Sequence, residues 1–266
     1  MQFEIDGAAA YCYTGGKTFD SSLPTVVFIH GAQNDHSVWA LQSRYLAHHG
    51  YGVLAVDLPG HGRSKGAAKR SVEEMADWLL AVLDAAGVAQ AALAGHSMGS
   101  LIALELSQRA PGRVAKLALL GTAYPMKVSD ALLNTSRDNE QAAIDMVNIY
   151  SHSGMAQKPS CPGPGFSIMG GAQRLMQRMS ALNPAQLFYT DFYACNTYAN
   201  GEAAAQAVRC PTLFILGAKD MMTPPKATRL LTAAIPHGRV VQVDAGHSMM
   251  AEQPDAVLDA LVAFLR

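Results

Sequence analysis

Ala91-Ala92-Leu93-Ala94-Gly95-His96-Ser97-Met98-Gly99-Ser100-Leu101-Ile102 decides how this chain is read. A short apolar run ends in glycine, a serine sits between two glycines at the spacing G-x-S-x-G, and an apolar helical pattern begins at once beyond it. Strand, sharp turn and helix in that order are the context in which the pentapeptide carries chemistry and is more than an ordinary tight turn. The turn needs a strained backbone at its centre, and both glycines let neighbouring chain pass close, so the Ser97 hydroxyl projects above the sheet. The helix that follows aims its free amides and the positive end of its dipole at the same spot.

The same alternation extends in both directions. Thr25-Val26-Val27-Phe28-Ile29, Gly52-Val53-Leu54-Ala55-Val56 and the run from Val114 to Leu120 have the length and apolar continuity of strands buried on both faces. Between them lie helical spacings: Val72, Met75, Leu79, Val82 and Leu83, then Leu101, Ile102, Leu104 and Leu106 before Pro111-Gly112. The rhythm returns with Pro211 to Leu216, a helix over about 224–234, Arg239 to Val243, and a last helix opening at Pro254 with Val257, Leu258, Leu261, Val262 and Leu265 inward. Strand-helix alternation predicts an α/β fold: a mostly parallel sheet with helices on both faces. Phe3, Ile5, Tyr11 and Tyr13 suggest one antiparallel hairpin at its edge.

From about 124 to 208 helical patterns continue without a buried strand, and Pro159 to Gly165 holds three prolines and two glycines. This predicts a core domain of residues 1–123 and 209–266 with an inserted helical cap over 124–208. The insertion carries Met126, Met146, Met155, Met169, Met176 and Met179 with Phe188, Tyr189, Phe192 and Tyr193. Thioethers and aromatics suit an adaptable apolar pocket wall, and equally suit plain core filling.

With 266 residues, half of them apolar, the chain can bury a full core. A net charge of -1, 15% charged residues and no long run of either sign give no footprint for nucleic acid or an anionic membrane, so a small-molecule partner is expected. Oligomeric state is not legible. Cys12, Cys161, Cys195 and Cys210 are scattered, without a C-x-x-C pair or a histidine at ligand spacing, which signals reduced thiols and neither a metal site nor a disulfide framework. Met1 to Asp6 lacks the basic and apolar regions of a secretory signal, and no apolar stretch reaches the roughly 18 residues of a membrane span. A cytoplasmic protein is the expectation.

A serine hydroxyl needs a base, and the base needs a third group to hold its tautomer. His247, in Asp244-Ala245-Gly246-His247-Ser248, stands just beyond the last strand, and Asp220 just beyond the strand before it. Both therefore emerge at the carboxyl edge where Ser97 sits, in the chain order Ser, Asp, His. His48, His49, His152 and His237 read as surface or loop residues, His96 as a local packing residue, and Asp244 as a rival acid three residues from His247. The oxyanion donors are expected to be the Met98 amide and the Ala32 amide of His30-Gly31-Ala32, with His30 a structural anchor. Gln33, Asn34, Asp35 and Trp39 either touch substrate or cap the next helix, Asp35 as its N-cap. Met126, Met221, Met249 and Trp39 are the substrate-binding candidates. This chemistry requires neither a metal nor an organic cofactor.

His30-Gly31-Ala32, Asp57-Leu58-Pro59-Gly60-His61-Gly62-Arg63-Ser64, Gly95-His96-Ser97-Met98-Gly99, Gly217-Ala218-Lys219-Asp220 and Gly246-His247-Ser248 together resemble the ordered signature of the capped α/β-hydrolase superfamily. The resemblance runs from about residue 25 to the C-terminus and is weakest across the cap. Members include carboxylesterases, enol-lactonases, carbon-carbon bond hydrolases, cofactor-free haloperoxidases and, with an aspartate nucleophile, epoxide hydrolases and dehalogenases; Ser97 argues against the last two. The stretch His30-Gly31-Ala32-Gln33-Asn34 lacks the His-Gly-Gly-Pro-Gly opening of proline iminopeptidases and the glycine-rich oxyanion loop of ring-cleavage hydrolases. Asp57 to Ser64 meets neither the dinucleotide nor the P-loop pattern and reads as a tight turn. The resemblance implies a serine esterase, lactonase or thioesterase acting on a small, largely apolar substrate through an acyl-enzyme. Carbon-carbon hydrolysis or perhydrolysis on the same triad, and a slow-turnover ligand-binding protein, stand as alternatives.

Overall fold

A computed structural model of the chain describes residues 1–154 and 164–266. The strands are β1 Gln2–Ile5, β2 Ala8–Tyr13, β3 Thr25–Ile29, β4 Gly52–Val56, β5 Ala91–His96, β6 Val114–Leu120, β7 Thr212–Gly217 and β8 Arg239–Val243, with the apolar runs in the central ones and mixed sequences at β1 and β8. They form one eight-stranded sheet in the order β1-β2-β4-β3-β5-β6-β7-β8. β1 and β2 make the antiparallel hairpin at one edge, β2 runs antiparallel to β4, and every later pairing is parallel.

The helices are α1 Ala40–Ala47, α2 Val72–Ala85, α3 Met98–Arg109, α4 Asp130–Asp138, α5 Glu140–Tyr150, α6 Pro164–Leu182, α7 Leu187–Thr197, α8 Gly201–Ala207, α9 Arg229–Ala234, α10 Met249–Glu252 and α11 Pro254–Leu265. Successive side chains of a strand point to opposite faces, and here both faces are apolar. Val27 and Ile29 of β3 pack with Leu79 of α2 and Leu101 of α3 in one buried cluster, while Val26 and Phe28 join Val257 and Leu261 of α11 in the other. α4 to α8 all lie between β6 and β7. α4 to α7 build a third cluster from Leu132, Ile144, Met176, Phe188 and Phe192, against which Ala32 and Met222 pack, while Ala204 and Ala205 of α8 join the first.

Two local expectations are corrected. β8 is not buried on both faces: among the described residues it ends the sheet, and Val243 alone in it is buried. The helix expected over 224–234 opens as a 3-10 turn, Pro225–Thr228, because consecutive prolines Pro224 and Pro225 withhold amide donors before α9 begins. His152 lies in the loop after α5, as the surface-or-loop expectation allows, but is buried there. Met155, Cys161 and the Pro159–Gly163 part of the proline-rich stretch lie outside the described residues. Cys12, Cys195 and Cys210 are free thiols. No helix among the described residues is long and apolar enough to cross a membrane.

Candidate active site

The chain turns from β5 into α3 at Ser97, whose φ of 52° and ψ of -119° lie in a region that L residues avoid. Holding one such residue costs on the order of 1–3 kcal/mol, so the surroundings must impose it. They do so by close packing. A Cβ on Gly95 would overlap the Gly99 carbonyl, and one on Gly99 would overlap the Ile29 and His30 carbonyls. The Ser97 amide donates to the Leu120 carbonyl at 2.9 Å, and Ser100 Oγ donates to the Ser97 carbonyl at 2.5 Å. The Met98 and Ala32 amides make no hydrogen bond among the described residues, the condition for donors that meet a developing oxyanion.

Asp220 follows β7 and His247 follows β8. Asp220 Oδ2 accepts from His247 Nδ1 at 2.8 Å and from the Thr223 hydroxyl at 2.8 Å, and its Oδ1 accepts the amides of Met222 and Thr223, each at 2.8 Å. Burial alone would raise the Asp220 pKa; the His247 charge, its hydrogen bond and the Thr223 donors outweigh that and hold it at about 2. With Nδ1–H committed to Asp220, His247 presents Nε2 as the acceptor. The rival Asp244 points to solvent and pairs with Lys219 Nζ at 2.7 Å. His96 donates Nε2–H to the His247 carbonyl at 2.9 Å, and burial lowers its pKa to about 3, so it supports the loop as a neutral ring.

Ser97 and His247 line one small cavity of about 60 Å³ together with Gly31 and Ala32. No hydrogen bond joins Ser97 to His247 among the described residues; such contacts commonly tighten only when substrate is bound. The central space opens into two lobes. One, about 270 Å³, is walled by Met126, Val128, Leu132, Met146, Phe192 and Met222 and includes Ser97 and His247. The other, about 510 Å³, shares Asn34, His96, His152 and Ser248 with the central space.

Residues 26–260 match the model of the alpha/beta hydrolase family. This chain belongs to the alpha/beta hydrolase family. The hydrolase is 29% identical over 247 residues, 87% of each chain, to a putative carbamate hydrolase RutD of Klebsiella pneumoniae subsp. pneumoniae. It is 25% identical over 248 residues, 90% of this chain and 89% of the other, to the (E)-2-((N-methylformamido)methylene)succinate hydrolase of Acinetobacter baylyi. Its fold superposes on the enol-lactonase of Burkholderia xenovorans LB400 with a TM-score of 0.85 at 23% identity, covering 100% and 99% of the two chains.

Two of the substrate-binding candidates are corrected. In the hydrolase Trp39 is fully buried, its ring 4.9 Å from that of Phe28, because the 3-10 turn His36–Trp39 folds the indole onto β3. Met249 is equally buried, in the same cluster as Val257 and Leu261. Neither lines a lobe. Met126 and Met221 do, Met126 from a nearly buried position and Met221 at the exposed rim. Asp35 is the expected cap, accepting from the Ser37 amide at 2.9 Å. His30 is the expected anchor: it receives the Leu58 amide on Nε2 at 3.1 Å and contacts the Gly31 carbonyl through Nδ1 at 2.8 Å. That pattern requires a neutral ring, and burial lowers its pKa to about 3.

Sequence reasoning missed two links between the α4–α8 segment and the site, the first buried and the second partly so. Asp191 of α7 is fully buried and its Oδ2 accepts both the Gln33 amide, at 2.7 Å, and His61 Nε2, at 2.9 Å. His61 Nδ1 meets the Pro59 carbonyl at 3.1 Å, so both ring nitrogens face acceptors and the imidazolium alone satisfies them. Burial opposes that charge, but Asp191 outweighs it and raises the His61 pKa. Gln33 follows Ala32 directly and sits at a φ of 58°. The second link is Glu252 of α10, which accepts the Gly246 amide with one oxygen and the Ser153 amide with the other, each at 3.1 Å. Asp35, His36 and Asp57 bring ligand atoms within 4.8 Å of one another, yet Asp57 is already engaged by the His36 and Arg63 amides and the His36 ring, so the group braces the turn after β4.

Proposed function

We propose that this hydrolase cleaves a carboxylic ester, lactone or thioester of a small, largely apolar substrate through an acyl-enzyme. The observation that carries the reading is the 2.8 Å bond from His247 Nδ1 to Asp220, which leaves Nε2 as the base on the cavity that Ser97 lines. His247 takes the Ser97 proton as the hydroxyl oxygen attacks the substrate carbonyl. The Ala32 and Met98 amides donate to the oxyanion, and the imidazolium then protonates the leaving group. Water, deprotonated by the same Nε2, releases the acyl group and restores Ser97. Residues 124–208 serve as the cap, and the Met-rich lobe, with Met126 and Met221, receives the apolar part of the substrate.

The Klebsiella relative is named for a carbamate, whose carbonyl would meet the same groups, so an aryl carbamate belongs in the test panel beside esters, lactones and thioesters. Wild-type protein is expected to label with a fluorophosphonate probe and to turn over short 4-nitrophenyl esters. Ser97→Ala abolishes labelling and lowers turnover by several orders of magnitude. Labelling that survives this substitution refutes the nucleophile.

A further inference from the structure

The two lobes beside Ser97 have no lining residue in common and differ in character. The Met-rich lobe carries one formal charge, Lys127, and is otherwise mostly apolar, with hydroxyls from Ser129, Tyr150 and Thr223 beside Ser97 and His247. The larger lobe is lined by apolar groups such as Val38, Leu175 and Met250 and carries two formal charges of one sign, Arg174 and Arg178 of α6. No aspartate or glutamate lines it among the described residues.

The two arginines are four residues apart on one helix, so their like charges face each other across a single turn, an arrangement that disfavours the helix unless an anion answers it. Neighbouring polar side chains of α6 are satisfied within the protein: Gln173 donates to Asp145 of α5 at 2.8 Å and Gln177 to Gln141 at 3.0 Å. Asp145 of α5 is thus held by Gln173 and by Gln141, at 2.9 Å, and not by an arginine. Neither Arg174 nor Arg178 makes a hydrogen bond or ion pair among the described residues. A guanidinium pair with free forks, at the wall of a cavity that continues into the catalytic space through Asn34, His152 and Ser248, is suited to grip a planar anion by paired N–H donors.

We propose that Arg174 and Arg178 form an anion-recognition subsite, and that the preferred substrate carries a carboxylate that reaches this lobe while its apolar part occupies the Met-rich one. The assignment rests on the serine-hydrolase reading for the bond that is cut, and adds the class of group that selects the substrate. Arg174 and Arg178 are specificity residues; they do not touch the reacting carbonyl.

Matched esters test this. The mono-4-nitrophenyl esters of adipate, pimelate and suberate are compared with 4-nitrophenyl hexanoate, heptanoate and octanoate, which share chain length and leaving group and lack only the terminal carboxylate. In wild-type protein the ratio of kcat/KM, charged over neutral, is expected to reach about tenfold for at least one length and to fall with added salt. The double variant Arg174→Ala/Arg178→Ala brings that ratio close to one, chiefly through KM, and Arg174→Lys/Arg178→Lys retains part of it. A ratio unmoved by the double substitution, or a preference for the neutral ester at every length, overturns the subsite and leaves the serine-hydrolase reading standing. If no ester turns over in either protein, that reading fails instead, and the subsite is decided by heat stability with free adipate, pimelate or suberate: stabilisation of the wild type alone supports it, and equal responses refute it.

Discussion

Replacing Asp191 with asparagine would keep the shape of the side chain and remove its charge from beside a buried imidazolium. Both partners of the pair are buried, and the contact spans 2.9 Å. Removing one member of a buried pair typically costs about 3–5 kcal/mol, because the other is left charged without a partner. At about 2–4 °C per kcal/mol for chains of about this size, the melting temperature falls on the order of 10 °C. The pH dependence gives the claim its sign. The folded-state pKa of His61 is raised above its unfolded value. The stability it contributes is therefore complete below the free-imidazole value of about 6.5 and is lost as pH rises through the raised folded value. Asp191→Asn removes that contribution, so the gap between wild type and variant is widest near pH 6 and narrows in alkali. Urea unfolding at several pH values, with the His61→Gln variant and the double variant completing a cycle, measures it. A gap below about 0.5 kcal/mol, the size of an ordinary surface change, or a gap that widens with pH, would refute the charge assignment.

Asp220→Asn should lower kcat by about three to four orders of magnitude, since an amide cannot hold the same imidazole tautomer, while Asp244→Asn leaves the rate nearly unchanged; steady-state kinetics on a 4-nitrophenyl ester separate the two acids. Asp220 also shapes the acid limb of stability. Its pKa is depressed from 3.8 to about 2. It contributes about 2 kcal/mol that is present above pH 3.8 and lost as pH falls through 2, so Asp220→Asn should flatten acid unfolding over that window, read by circular dichroism. Gly99→Ala drives a methyl into the Ile29 and His30 carbonyls, and a variant that stays folded with normal fluorophosphonate labelling would contradict the packing at the elbow.

Much of the fold and the residues of the proposed triad could be read in advance because their signals are local. A buried parallel strand is an unbroken apolar run, and its carboxyl end is marked by the glycine and polar residue that follow, which is how Ser97, Asp220 and His247 were placed at one edge. The hairpin at β1 and β2 and the buried face of α2 follow from the same periodicities. What escaped depends on distant chain. Nothing near His61 announces an aspartate 130 residues away, and nothing near Gln33 announces that its amide answers to α7, 158 residues on. Trp39 could face substrate or core by its sequence position alone; the rotation of one 3-10 turn against Phe28 decides it. β8 is mostly exposed because, among the described residues, it ends the sheet with no ninth strand beside it.

Glu252 gives the helical insertion a second consequence for its host. An insert fastened only at its two peptide ends could be traded for another of similar size. Here one carboxylate fastens Ser153 and the residue just before His247 at once, and Asp191 fastens the residue just after Ala32. A transplanted segment that supplied neither a backbone amide for Glu252 nor an acidic group for His61 and Gln33 would leave the chain on both sides of the Ser97 cavity unfastened, so α4 to α8 and the loops that carry Ala32 and His247 are matched to one another.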